Sequence, residues 1–154
     1  MVTSASVTQL LNPQNVSSLK QLARSITLSQ GEFCLILACC NRRELRHQMI
    51  KQLHQLCSVH LEELTLDCST ETLYSTIARH FSHNSPDAVM VDGFESVRHL
   101  QQLLIATNYV REEFCHFRFP VVLWVNDEMI KQLVRLAPDF FSFALSGIEF
   151  TDEF

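Results

Sequence analysis

The sequence predicts a three-layer α/β domain built on a mainly parallel sheet of five strands. Three observations carry that prediction. Short, wholly apolar runs such as 33–39, 88–91 and 121–125 have the composition of strands covered on both faces. Runs with apolar residues at helical spacing separate them, and such alternation gives a parallel sheet with helices on each side. At 154 residues, 47% apolar and 19% charged, with three glycines and four prolines, the chain has the length and composition of one folded domain.

Each element has its own signal. Residues 1–30 read as a helical segment packing on the domain. There Val16, Leu19, Leu22, Ala23 and Ile26 recur at helical spacing, and Asn15 or Ser17 is placed to cap. Residues 31–154 read as the domain itself, ending without a C-terminal lid. Gly31 punctuates before the strand 33–39. A helix over 41–57 puts Leu45, Met49, Leu53 and Leu56 on one stripe. The run 61–66 alternates apolar and polar, as an edge strand with one wet face does. Ser69 or Thr70 opens a helix through Leu73, Ile77 and Phe81, and the turn 83–87 leads to the strand 88–91. A long helix is expected over 96–114, then a strand at 121–125. A helix carrying Met129, Leu133 and Leu136 stops near Pro138, and a short strand closes at 148–150.

Composition narrows the function. A net charge of −5 gives no general attraction to nucleic acid or an anionic membrane. The local basic cluster Arg42, Arg43 and Arg46 reads as a solvated helix face. Six cysteines without a CxxC pair read as reduced thiols in a cytoplasmic protein. The N-terminal residues show no basic start or apolar signal core, and no run of about 18 apolar residues could span a membrane.

The strand 33–39 followed by a helix is where a nucleotide-binding α/β protein carries a glycine-rich loop with Lys-Ser or Lys-Thr. Here the junction is Ala38-Cys39-Cys40-Asn41-Arg42-Arg43-Glu44, with no glycine and no lysine. Asn41 as helix cap with Glu44 three residues on resembles a capping box, which would occupy the amides a phosphate needs. Glu44 would also repel the anion. The alternative is that Arg42 and Arg43 bind an anion by another geometry. The strand 89–91 ends in Asp92-Gly93, with Glu95 beyond. It resembles the strand that holds Mg²⁺ in P-loop NTPases, and it equally fits a common exit turn. Asn126, at the end of 121–125, stands where a phosphate sensor would, or caps the next helix. His54, Cys57 and His60 do not fall on one helical face with a fourth ligand, so no metal site is expected. Cys39 and Cys40 read as buried, inert thiols, and no G-x-S-x-G elbow is present.

The run 119–128 (Phe-Pro-Val-Val-Leu-Trp-Val-Asn-Asp-Glu), followed by Leu133-Val134-Arg135-Leu136-Ala137-Pro138-Asp139-Phe140, resembles a bacterial, notably cyanobacterial, family. These are the degenerate AAA/STAND-type ATPase-like domains of signalling proteins that often precede tetratricopeptide repeats. Residues 33–41, 93–96 and 108–114 support the likeness. The chain departs from it in lacking a phosphate loop and in having Phe143 and Ala144 where relatives tend to carry Trp and Arg. The resemblance implies a P-loop NTPase or RecA-like topology. It also implies a non-catalytic regulatory or interaction module needing no cofactor, with a protein partner, a neighbouring repeat domain or another copy. Phe140, Phe141 and Phe143 are then candidate contact residues, with core burial as the alternative. The rival reading is a nucleotide switch taking ATP or GTP with Mg²⁺ at Asn41, Arg42, Arg43, Asp92 and Asn126, with Asp92 on the metal.

Overall fold

The structure is a computed structural model and describes residues 12–152. Five strands form one parallel sheet: β1 (Cys34–Cys40), β2 (Leu61–Thr65), β3 (Ala88–Asp92), β4 (Pro120–Val125) and β5 (Ala144–Phe150), in the order β2-β3-β4-β1-β5. The α-helices are α1 (Pro13–Leu28), α2 (Arg43–Leu56), α3 (Leu73–His80), α4 (Leu100–Tyr109), α5 (Asp127–Leu136) and the single turn α6 (Pro138–Phe141).

Strand parity explains why the inner strands are apolar throughout. In β1, Leu35 and Leu37 point to one face, while Ile36, Ala38 and Cys40 point to the other. The first face meets α3, α4, α5 and α6 around Phe114 and Phe140; the second meets α1 and α2 around Leu22, Met49 and Trp124. Both faces are dry, so polar residues are left to the strand ends and to the edge strand β2. The other edge, β5, is stitched to α1. The side-chain amide of Asn15 exchanges hydrogen bonds with the backbone of Thr151 (2.7 and 2.9 Å), and the Ser18 hydroxyl donates to the Glu149 carbonyl (2.6 Å).

Several expected boundaries move for identifiable reasons. Helix α1 begins at Pro13 under an Asn12 cap, which leaves Asn15 to bind β5 rather than cap; residues 1–11 of the expected N-terminal segment lie outside the described residues. Helix α3 begins at Leu73, because Ser69 and Thr70 are held in a turn by the Asp67 carboxylate. The long helix expected over 96–114 breaks into α4 between two 3₁₀ turns, Phe94–Ser96 and Arg111–His116. Strand β5 is longer than expected. Four residues of it, Ala144 to Gly147, lie against the three from Leu35 to Leu37, and this bulge breaks the alternation that marks a strand in sequence.

Of the aromatic candidates, Phe140 takes the core alternative. Phe140 is fully buried and packs on Phe114 with ring centroids 4.7 Å apart, while Phe141 and Phe143 are half-buried against the same core. Their dense spacing reflects one helical turn folding onto the end of the sheet.

Gly93 is the one glycine that the fold demands at the end of β3. Its φ is +91°, and a Cβ there would lie 2.7 Å from the Leu66 carbonyl oxygen. Gly93→Ala is expected to lower unfolding free energy by about 2–3 kcal/mol, combining left-handed strain with the clash. A shift in the urea midpoint at unchanged slope measures it.

Candidate functional site

The C-terminal ends of β1, β3 and β4 converge on one patch, where an open parallel sheet places its ligand crevice. The sequence-derived candidates Asn41, Arg42, Arg43, Asp92 and Asn126 all lie there. The residue that organises the patch is one not chosen from sequence, Arg46.

Arg46 sits one turn into α2 and is 5% exposed. Its Nη2 donates to Glu95 Oε1 at 2.6 Å, and its Nε lies 3.0 Å from Asp92 Oδ1, close but not aligned as a hydrogen bond. Asp92 Oδ1 also accepts the Gly93 amide at 2.7 Å, which holds the carboxylate at the strand end. Arg43 adds a longer ion pair to Glu95, 3.6 Å. Burial pushes the Glu95 carboxyl up. Hydrogen bonds from its own amide and from Arg46, with the Arg46 and Arg43 charges, outweigh that and leave it below its usual range. The solvated-face reading of the three arginines therefore fails for Arg46, whose charge faces inward.

The capping-box expectation also fails. Helix α2 starts at Arg43, its cap residue Arg42 makes no side-chain capping bond, and Asn41 points elsewhere. The Asn41 side chain clasps Asp127 instead: Oδ1 accepts the Asp127 amide at 2.9 Å, and Nδ2 donates to Asp127 Oδ2 at 3.0 Å. Asn126 Oδ1 accepts the Met129 amide at 2.8 Å, so two asparagines satisfy the first amides of α5. Glu44 lies out in solvent, paired at 3.4 Å with Arg42, which also bonds Asp152 beyond β5. That bond from Arg42 leads the contributions holding the Asp152 carboxyl low. Cys39 Sγ contacts Asp127 Oδ1 at 3.3 Å. Burial first, then this carboxylate, pushes the thiol up to about 12, so it is no nucleophile at neutral pH. Among the described residues no cluster of His, Cys, Asp and Glu could hold a metal ion, and no helix is long and apolar enough to cross a membrane.

Two solved structures have a similar fold. A chain of Drosophila ORC bound to DNA superposes with a TM-score of 0.61 at 11% identity, over 96% of this chain and 32% of that one. The Aeropyrum pernix ORC2 protein in its ADPNP–ADP complexes gives 0.51 at 16% identity, over 87% of this chain and 46% of that one. The chain thus shares with these proteins a three-layer α/β fold on a parallel sheet. This chain spans less than half the length of either neighbour chain. No family model and no curated protein matches it.

The P-loop NTPase-like topology that the sequence resemblance implies would place nucleotide phosphates over the β1–α2 junction and Mg²⁺ at the end of β3. The residues present fit neither group. Between Cys40 and Arg43 the junction has only Asn41 and Arg42, too short to wrap a phosphate chain. Among the described residues only Gly31 and Gly93 have positive φ, so the junction lacks the alternating handedness that turns successive amides toward one anion. At β3, Asp92 and Glu95 already neutralise Arg46. The cleft between Arg46, Trp124, Asn126 and Glu128 is about 160 Å³, below the roughly 300–1,000 Å³ of small-molecule sites; a wider one of about 420 Å³ opens beside Asn41, and Asp127 and Glu149 line it with carboxylates that disfavour a phosphate.

Proposed function

We propose that this chain is a non-catalytic, AAA-type module whose nucleotide crevice is closed by its own side chains, and that it acts by contacting other protein. The observation that carries this reading is the buried guanidinium of Arg46 set between Asp92 and Glu95. It supplies internally the positive charge that Mg²⁺ would bring to a strand-end carboxylate. A carboxylate that is already paired has little to gain from a metal, and displacing Arg46 would strand a buried charge.

The finer reading is a regulatory element of a STAND-type signalling protein, its partner a protein or a neighbouring repeat domain. It is supported by the short junction without glycine and by the likeness of residues 119–140 to that family. Assembly between proteins is a reading that the ORC neighbours also favour. With no phosphate loop and, among the described residues, no cluster of His, Cys, Asp and Glu that could hold a metal ion, the module on this reading works without ATP, GTP or Mg²⁺.

Thermal unfolding with and without millimolar Mg-ATP or Mg-GTP tests the proposal. At about 1 mM nucleotide, a site with a Kd of about 10 µM would be at a hundredfold excess over Kd and would add about 2.7 kcal/mol. For a chain of this length that is a rise of roughly 5–10 °C. The expected result is no shift with either nucleotide. A rise of that size, abolished in Asp92→Asn, would overturn the reading in favour of a nucleotide switch.

A further inference from the structure

We draw no further inference here: the strongest candidate, the open apolar groove between α1 and α2 where Leu28 and Leu56 stand exposed beside Lys20 and Arg24, carries none because nothing in the structure shows what covers it.

Discussion

Arg46→Met is expected to destabilise the fold by about 3 kcal/mol at pH 7, although methionine fills nearly the same space. Removing one member of a buried charge group leaves its partners uncompensated, which typically costs about 3–5 kcal/mol. The lower end applies because the Glu95 side chain is 38% exposed and can recover some hydration, while Asp92 at 16% can recover little. The triple variant R46M/D92N/E95Q, with no charge left, is expected to regain most of the loss. The sign of the pH dependence follows from Glu95. Its folded-state pKa lies below the usual 4.5, so its contribution is present above that value and is lost as pH falls through the folded value. In Arg46→Met the depressing partner is gone. The difference between natural and variant protein should therefore be large at pH 7 and shrink below about pH 4, as the carboxylates protonate in both. Urea titrations across that range measure it. A difference that stays constant from pH 7 to pH 3 would mean that packing, not charge, is what Arg46 supplies.

That residue shows where sequence reasoning stopped. Strands β1, β3 and β4 were legible because both sheet faces are dry and their residues are apolar in an unbroken run. The edge position of β2 was legible from its alternation. Three adjacent arginines, by contrast, look alike in sequence. Two of them are exposed and the third is buried because its partners come from β3 and the turn after it, nearly fifty residues away. A usable signal existed: Arg46, Ile50 and Leu53 follow helical spacing, so Arg46 lies on the buried side of α2. Combined with a strand-end Asp lacking a lysine or metal partner, that stripe points to an internal ion pair.

Asn41 failed in a different way. Its cap reading was local, and local reasoning assigns an asparagine to the helix that follows it. The fold brings β4 beside β1, so the start of α5 lies next to the end of β1 and competes for the same side chain. Asn126 met no such competition and caps its own helix, as the bland alternative held. Tertiary neighbours thus decided one cap and left the other to sequence. On the proposed reading the junction is closed by its shortness and by Asn41 reaching sideways to Asp127, not by a capping box.

Phe140→Ala is expected to lower unfolding free energy by about 4 kcal/mol, which separates a core residue from a contact residue. Phenylalanine-to-alanine changes in well-packed cores cost about 3–5 kcal/mol, through lost transfer energy and the cavity left behind. Phe140 sits at the top of that range's conditions: it is 0% exposed and lies 4.7 Å from the Phe114 ring. It also caps a chain of rings, with Phe114 in turn touching Phe33, Tyr74 and Phe117 at 6.1, 5.4 and 5.8 Å. The site has little room to collapse, because α6 is a single turn fixed by Asn108, whose Oδ1 accepts the amides of Asp139 and Phe140, each at 2.9 Å. Guanidinium titration of the variant gives the loss directly. A loss under about 1 kcal/mol, the range of an exposed position, would return Phe140 to the surface and restore the aromatic cluster as a partner site. The full loss would leave Phe140 as the core residue that holds α6 against Phe114 and the end of the sheet.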